Sequence, residues 1–394
     1  MTSASLVGFT GFTLVMPFLA SYIQDLGVSD LGEVALWTGA TLGVTPAVTA
    51  VCAPLWGRVG DRFGNKLLVQ RSLSSCVVVM SLMAYATHPW HLFALRAVQG
   101  LVAGYGPLTI SMAALSAPRG QMIRAIGTVQ TAQRIGPAVG PVIGGLLAAA
   151  VGLRNAFLAS AAVYAVAFVM VTVMYTEPER AASPSEETGR VSFGTVLAFE
   201  NFLLLMLVIF ALQVVDRSFG PVLLLHVRAL GYGSGDAAVL VDVLFSVLAV
   251  CGAFGNQLAA AMLRRGATRT VIAGSVLVAA GALGLFAVAQ AVWLMTAAIA
   301  VFGAALGTAM TTTFTAAGSV VPRHAHGVGF GFLSSASLIG SAVSPVLSGL
   351  VAARSIKVVF LSGAAMLALL VLLVRRLMAE RDLALEAPPS VDES

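Results

Sequence analysis

Gly-Arg-Val-Gly-Asp-Arg-Phe-Gly-Asn-Lys, residues 57–66, separates two long apolar runs and sets the turn around which the chain folds. Ten residues are too few to cross a bilayer, so the flanking runs must fold back on each other here. We interpret the stretch as a solvated hairpin loop, because its three glycines permit a tight turn. Asp61 is its only acidic residue, and its basic residues are Arg58, Arg62 and Lys66.

The composition of the whole chain predicts an integral membrane protein. Of its 394 residues, 58% are hydrophobic and only 10% are charged, whereas roughly 25% of residues are charged in a soluble domain. Apolar runs of about 20 residues, the length that spans a bilayer as a helix, recur almost from end to end. Strands of a membrane barrel would instead alternate polar and apolar residues. The chain is therefore expected to be all-α.

Twelve such runs predict twelve transmembrane helices. They cover residues 4–24, 34–56, 67–87, 90–114, 122–150, 154–176, 199–225, 237–262, 268–289, 291–318, 326–352 and 355–377. One long polar break predicts a cytoplasmic linker at residues 177–195, between six-helix bundles at residues 1–176 and 196–377. The charged, proline-containing end, residues 378–394, is expected to be a disordered cytoplasmic tail.

The distribution of positive charge predicts the orientation in the membrane. Fifteen of the 22 Lys and Arg residues fall on one side of this topology, four on the other and three within helices. The positive-inside rule therefore places both termini, the linker and residues 57–66 in the cytoplasm of a multi-pass protein of the cell membrane. Because the charges are scattered over short loops, we expect no nucleic-acid partner.

The two halves repeat in sequence at a nearly constant offset. Residues 135–149 read IGPAVGPVIGGLLAA and residues 339–353 read IGSAVSPVLSGLVAA, an offset of 204. Pro17 and Pro221 have the same separation. Coincidence is a poor account of equal offsets in different helices, so we infer a parallel repeat of two six-helix bundles. In transporters of this architecture the substrate site lies near the membrane midplane, between the halves.

The fifth predicted helix carries a series of glycines. The fixed positions of the series are Gly127, Gly136, Gly140, Pro141, Gly144 and Gly145. Glycine at every fourth position lets another helix approach closely, and a proline inside a helix favours a kink. Small-residue packing explains single steps of this spacing but does not readily explain the whole series.

These features resemble the major facilitator superfamily, in its twelve-helix drug:proton antiporter branch. The loop motif of that superfamily, G-x-x-x-D-R-x-G-[RK]-[RK], is matched by Gly57, Asp61, Arg62, Gly64 and Lys66, whereas Asn65 departs from it. The fourth-helix motif, R-x-x-Q-G, is matched by Arg96, Gln99 and Gly100. The glycine series matches every fixed position of the antiporter motif, which marks exporters in this superfamily. The resemblance covers nearly the whole chain.

The resemblance implies a gating role for residues 57–66. In the superfamily, the aspartate of the loop motif is held against the cytoplasmic start of helix eleven and latches the halves in the outward-open state. Asp61 can make this contact, because a carboxylate at a helix N-terminus is stabilised by the helix dipole. The counterpart loop, residues 263–266, has Leu263 where Asp61 aligns. We therefore expect one latch rather than two.

Ionisable residues within membrane helices are candidates for proton coupling, because they are costly to bury. Asp216 is the first choice, since Gln213 shares a polar helix face with it and a desolvated carboxylate can load and release a proton. A structural ion pair with its neighbour Arg217 is the alternative interpretation. Asp242 is the second candidate, and a residue at an outer helix end that water reaches is the alternative there.

Two arginines are further candidates for proton coupling. The resemblance associates Arg96 with proton transfer, and an arginine bonded to helix carbonyls is the alternative. Arg134 is expected to be a buried cation near the cavity. The candidate residues of the substrate cavity are Phe12, Gln99, Tyr105, Gln130, Gln213, Phe219 and Thr312. Packing or lipid contact is the alternative for each of them.

The sequence thus predicts a secondary active transporter that exports hydrophobic or amphipathic small molecules in exchange for protons, by alternating access. A carrier for one metabolite, such as a sugar, a nucleoside or an amino-acid derivative, is the alternative, and a non-transporting membrane receptor or scaffold is a third interpretation. We expect neither an enzyme nor a metal site, because no His, Cys or carboxylate cluster has the required spacing. We also expect a monomer in the lipid bilayer, with the proton gradient in place of a cofactor.

Overall fold

The computed structural model describes residues 2–16, 18–102, 104–117, 121–175, 193–231, 234–264, 266–322, 325–352 and 354–378. These residues form fifteen helices. The first half contains α1 (Thr2–Leu14), α2 (Leu19–Asp25), α3 (Leu31–Phe63), α4 (Asn65–Met83), α5 (Pro89–Val102), α6 (Tyr105–Ser116), α7 (Met122–Val151) and α8 (Leu153–Met174). The second half contains α9 (Phe193–Leu197), α10 (Phe202–Ala229), α11 (Ser234–Leu263), α12 (Thr268–Val288), α13 (Val292–Val320), α14 (His326–Ala352) and α15 (Ile356–Leu377).

The predicted all-α membrane fold is confirmed. Among the described residues, ten helices are long and apolar enough to span a membrane. The first predicted span consists of α1 and α2, which reach that length together and meet at a bend of 42°. The span predicted at residues 90–114 consists of the shorter helices α5 and α6, separated by Gly104 at a φ of 140°. All twelve predicted runs thus coincide with helices, and two of the runs are interrupted.

The interpretation of residues 57–66 as a ten-residue loop is wrong. α3 continues to Phe63, α4 begins at Asn65, and Gly64 alone forms the turn at a φ of 98°. Only glycine adopts this backbone conformation without strain. Gly57 and Gly60 lie inside α3 instead, where the missing side chain permits close packing: a Cβ at Gly60 would overlap the Asn65 side chain. Glycine is typical both of turns and of close helix contacts in membranes. Here Gly64 forms a turn, whereas Gly57 and Gly60 form close helix contacts.

Each half has its own hydrophobic core. One core consists only of buried residues between Ala4 and Val171, from α1 to α8. The other core consists mainly of residues between Val196 and Met378 and is joined by a few residues of α6 and α7. Apolar side chains from one half therefore reach into the second core where α6 and α7 border it.

The predicted domain boundaries fall partly outside the described residues. Of the linker at residues 177–195, only its last three residues are described, as the start of α9. Of the tail at residues 378–394, only Met378 is described, and it is buried. The division into these four segments stays a prediction.

Helices from both halves meet at one end of the bundle. Because consecutive spans run in opposite directions, α3 and α11 end, and α7 and α14 begin, at the same end of the bundle. We name it the basic end, since the basic residues of the 57–66 stretch lie there. The hydrogen bonds described between the halves join these helices and α13, from the basic end to the middle of the bundle.

Candidate gating and proton-coupling site

Asp61 connects the last turn of α3 to the first turn of α14. The N–H of Gly327 donates a hydrogen bond to Asp61 Oδ1 (2.7 Å), and the N–H of Val328 donates one to Oδ2 (2.9 Å). The first N–H groups of a helix have no partner within the helix, and a negative charge is favourable there. Arg62 is exposed and Lys66 half-buried on either side of the turn. The structure therefore places Asp61 against the start of the helix that the resemblance indicated.

Glycines bring the backbones of α3 and α14 into contact beside Asp61. A Cβ at Gly57 would overlap the carbonyl oxygen of Gly327, and a Cβ at Gly331 would lie 2.7 Å from the carbonyl oxygen of Ala53. Farther along α14, Ser335 donates a hydrogen bond to a backbone carbonyl of α3. The two helices thus touch over successive turns, backbone to backbone at the glycines and through one small side chain at Ser335.

A second contact between the halves consists of uncharged side chains. We name it the polar cluster, and its members are Gln130, Thr131, Asn256, Gln257 and Thr311. The Thr311 hydroxyl donates to Gln130 Oε1 (2.6 Å), and the Gln257 amide donates to the Thr131 hydroxyl (3.2 Å). The Asn256 amide lies 3.2 Å from the Thr311 hydroxyl. These groups satisfy one another where unpaired polar groups would be costly. The halves are therefore joined at two places near the basic end, although we expected one latch.

An ion pair crosses between the halves in the middle of the bundle. Arg134 Nη1 of α7 lies 3.8 Å from Asp216 Oδ1 of α10, and the two side chains are only 19% and 14% exposed. Arg217 Nε lies 4.0 Å from the other carboxylate oxygen, but the Arg217 side chain is 55% exposed. The structure thus brings together two residues that the sequence singled out separately. The alternative ion pair between Asp216 and Arg217 is also present, and its arginine is more exposed than Arg134.

Arg96 lies inside the first half, apart from this ion pair. Its side chain is 1% exposed, its Nη1 donates to Gln99 Oε1 (3.1 Å), and its Cζ lies 5.5 Å from the centroid of the Phe12 ring. Its Nε and Nη2 have no hydrogen-bond partner among the described residues. Because arginine stays charged in proteins, Arg96 is a buried cation with two spare donors. The structure places it beside two of the predicted cavity residues.

The glycine series of α7 divides between two neighbours. Three of its members face α1, where a Cβ would collide with backbone or side-chain atoms: Gly136, Gly140 and Gly144. Gly127 faces the other half instead, since its Cβ would lie 2.6 Å from the carbonyl oxygen of Asn256. Pro141 lies within α7 without ending the helix. No described atom lies within 4 Å of the Cβ position of Gly145.

Phe219, which we expected in the cavity, lies in the core of the second half. It is fully buried, and its ring centroid lies 5.3–5.6 Å from those of Phe286, Phe302 and Phe360. Aromatic pairs at this separation are stabilising. The ring is on the face of α10 that packs inside its own half, whereas Asp216 is on the face that meets the first half.

The remaining predicted residues are more scattered. Gln213 and Thr312 are buried, and the Thr312 hydroxyl has no partner among the described residues. The side chain of Tyr105 lies outside the described residues. Asp242 is exposed near the start of α11, away from the basic end. This position agrees with the alternative interpretation, in which Asp242 is a residue near an outer helix end that water reaches.

Asn256 and Thr311 are not among the residues predicted from the sequence. Asn256 lies in a long apolar run, and a polar side chain in such a run is itself a signal, because it is costly to bury without a partner. Thr311 lies in a run of three threonines, residues 311–313. Nothing in that run distinguishes the residue that reaches the other half from its neighbours.

Comparison with protein families identifies a match over nearly the whole chain. The family described as Major Facilitator Superfamily matches residues 1–265 and, overlapping them, residues 205–393. The multidrug resistance protein MdtG of Proteus mirabilis (strain HI4320) is 33% identical over 238 residues, which cover 60% of this chain and 59% of that protein. MdtG of Yersinia enterocolitica is 35% identical over 238 residues, covering 60% and 57%. The matched region thus spans less than two thirds of the length of these relatives.

Two solved structures have the same fold. The human organic anion transporter MFSD10 superposes with a TM-score of 0.80 at 16% identity, covering 95% of this chain and 97% of that one. The E. coli fucose:proton symporter FucP gives a TM-score of 0.75 at 15% identity, covering 95% and 96%. At these identities the likeness establishes the fold alone.

Proposed function

Since the chain belongs to the Major Facilitator Superfamily, we propose that it exports hydrophobic or amphipathic small molecules in exchange for protons, by alternating access. The observation that carries this proposal is the Arg134–Asp216 ion pair, an ionisable link between the two halves. The names of its relatives, multidrug resistance proteins, support a drug-like substrate. The proton gradient then supplies the energy, and no cofactor is required.

We assign the basic end to the cytoplasmic face of the plasma membrane. Fifteen of the 22 Lys and Arg residues favour this orientation. The Asp61 contact and the polar cluster then close the path to the cytoplasm, so the conformation is outward-facing. Both halves of the site come from one chain, which is why we assign the activity to a monomer.

Protonation of Asp216 starts the cycle in this mechanism. Its negative charge disappears when a proton arrives from the outer side, and Arg134, whose side chain is 19% exposed, is left without its counter-ion in the other half. The outward-facing conformation loses this attraction between the halves and with it its advantage. The halves then separate at the basic end, where Asp216 releases its proton and a substrate enters. The return step carries the substrate outward.

Arg96 and Asp242 have supporting parts in the proposal. Arg96 has two spare donors beside Gln99 and Phe12, which suits it to hold a water molecule or a substrate group in the first half. Asp242 is exposed near the outer end of α11, where it is a second position for a proton to enter.

Transport in proteoliposomes under an imposed pH gradient tests the proposal. Export of hydrophobic dyes should follow the gradient and stop when a protonophore dissipates it. Asp216→Asn should abolish gradient-driven export, whereas Asp25→Asn, which removes an exposed acid outside the site, should not. Efflux that ignores the protonophore would refute proton coupling. Loss of export in Asp242→Asn with none in Asp216→Asn would move the proton site, and one saturable solute without dye efflux would favour the single-metabolite carrier.

A further inference from the structure

Arg134 reaches Asp216 by lying over a glycine of α11. The three described atoms nearest to the Cβ position of Gly252 all belong to Arg134: Nη1 at 2.5 Å, Cδ at 3.0 Å and Cζ at 3.1 Å. Nη1 is also the nitrogen that pairs with Asp216. The missing side chain at Gly252 therefore provides the space through which Arg134 extends from α7 towards α10.

The other side of Gly252 is packed against α13. The carbonyl oxygen of Gly252 occupies the position that a Cβ at Gly307 would take, and the nitrogen of Gly252 lies 3.3 Å from the Cβ position of Gly303. Backbones in such close contact have little room to shift. When a side chain is added at Gly252, the contact with α13 prevents α11 from shifting away from Arg134. Only the flexible end of the Arg134 side chain can then move.

We infer that Gly252 is a positioning residue for the Arg134–Asp216 ion pair, an inference that rests on the proton coupling proposed above. A methyl group packs at about 3.5 Å from a neighbouring heavy atom, so Gly252→Ala displaces Nη1 by about 1 Å. The pair is already separated by 3.8 Å, close to the longest separation of an ion pair, so we expect this displacement to disrupt it. Of the charged groups described at Asp216, only Arg217 would remain.

A double-mutant cycle of Gly252→Ala and Arg134→Gln tests this inference in the full-length protein. Gly274→Ala is the matched control, because no described atom lies within 4 Å of its Cβ position. One readout is gradient-driven dye export from proteoliposomes. The other is the pH midpoint of the distance between fluorophores at Leu67 and Thr270, two exposed positions at the basic end, one in each half.

We expect Gly252→Ala to match Arg134→Gln within about twofold in export and to shift the pH midpoint in the same direction. The double variant should show no further change, because Gly252 acts through Arg134. Gly274→Ala should behave as wild type. The temperature of unfolding should change little in Gly252→Ala, since the three atoms nearest to the added methyl group belong to a movable side chain.

Four results would overturn the inference. Additive losses in the double variant would assign Gly252 a packing role, and so would a Gly252→Ala protein that does not fold. If the pH midpoint is that of wild type in Gly252→Ala but shifted in Arg134→Gln, the ion pair still couples opening to pH, and Gly252 has no part in positioning it. If Arg134→Gln is wild type in both readouts, the ion pair has no role and both ideas fail. Suppose instead that dye export does not depend on the pH gradient, while the pH midpoint of the fluorophore distance still shifts when the ion pair is disrupted. This result would refute the proposed function but not the inference about Gly252.

Discussion

Asp61→Asn tests whether the contact between α3 and α14 holds the basic end closed. The wild-type carboxylate accepts one hydrogen bond from Gly327 and one from Val328 at the start of α14. The carbonyl oxygen of asparagine can still accept one of these hydrogen bonds. Its NH₂ group is a donor, however, and cannot accept the bond from the second backbone N–H. The substitution therefore removes one charge-assisted hydrogen bond and the interaction of a full charge with the helix start.

The size of the effect follows from these two losses. A hydrogen bond to a charged group contributes about 1.5–3 kcal/mol, and a charge at a helix N-terminus contributes about 0.3–1 kcal/mol. Their sum, about 2–4 kcal/mol, stabilises only the conformation in which the basic end is closed. Because 1.4 kcal/mol corresponds to a factor of ten, the ratio of open to closed molecules should rise by about 30-fold to several hundred-fold.

Single-molecule distances between fluorophores at Leu67 and Thr270 measure this ratio directly. The three native cysteines, Cys52, Cys76 and Cys251, are replaced first so that only the introduced sites are labelled. Asp25→Asn is the control, because it also removes one acidic charge but from an exposed position away from α14. Identical distance distributions for Asp61→Asn and Asp25→Asn would refute the reasoning.

Packing at other described positions gives three further expectations. Gly57→Ala should shift the same distance distribution towards opening, because the added Cβ overlaps the backbone of Gly327. Thr311→Val should lower the thermal unfolding midpoint, because the buried Gln130 Oε1 loses its donor at a cost of about 1–3 kcal/mol; adding Gln130→Leu should recover part of the loss. Phe219→Ala should cost about 3–5 kcal/mol of stability, measured by thermal unfolding, while the range of exported dyes stays the same.

Matched substitutions separate these effects from general damage. Gly43→Ala adds a Cβ where no described atom lies within 4 Å, so a Gly57→Ala distribution equal to that of Gly43→Ala would contradict the backbone contact. Phe254→Ala truncates a ring that is 65% exposed and should cost far less than Phe219→Ala. If the Phe219→Ala protein has normal stability but exports a different range of dyes, Phe219 lines the substrate cavity after all. Equal stability of Thr311→Val and wild type would show that the polar cluster contributes little.

The helices could be predicted from the sequence because each depends on a local property. A run of apolar residues long enough to span a bilayer has no stable alternative to a helix there, and each predicted run coincides with one helix or with a pair of consecutive helices. The interruptions were not predicted, because a glycine such as Gly104 is also compatible with a continuous helix. The same ambiguity explains the error at Gly57 and Gly60, since a glycine in sequence does not reveal whether it forms a turn or admits a neighbour.

The candidate site could be predicted only in part. The position of Asp61 followed from a motif, and the motif fixes which helix the carboxylate meets. The partner of Asp216 was not predictable, because Arg217 is adjacent in sequence while Arg134 approaches only when the two halves dock. Phe219 failed for a related reason: residues close together on one helix can face the other half or their own core, and the apolar run around them does not distinguish these faces.

The two charged contacts described between the halves break by different movements. Asp61 is released when helices move apart, whereas Asp216 is released when a side chain rotates, and this difference sets the order in which the contacts break. Asp61 is bound by backbone N–H groups of α14, which are fixed within the helix, so this contact breaks only when α3 and α14 move apart. Asp216 is bound by Arg134, whose long side chain can rotate away over Gly252 without any movement of the backbone. Neutralising Asp216 can therefore release its contact first, while the basic end is still closed, and the Asp61 contact yields afterwards as the helices separate. Asp61→Asn should accordingly raise the open fraction at the basic end while opening still depends on pH, and opening that no longer depends on pH in Asp61→Asn would contradict this order.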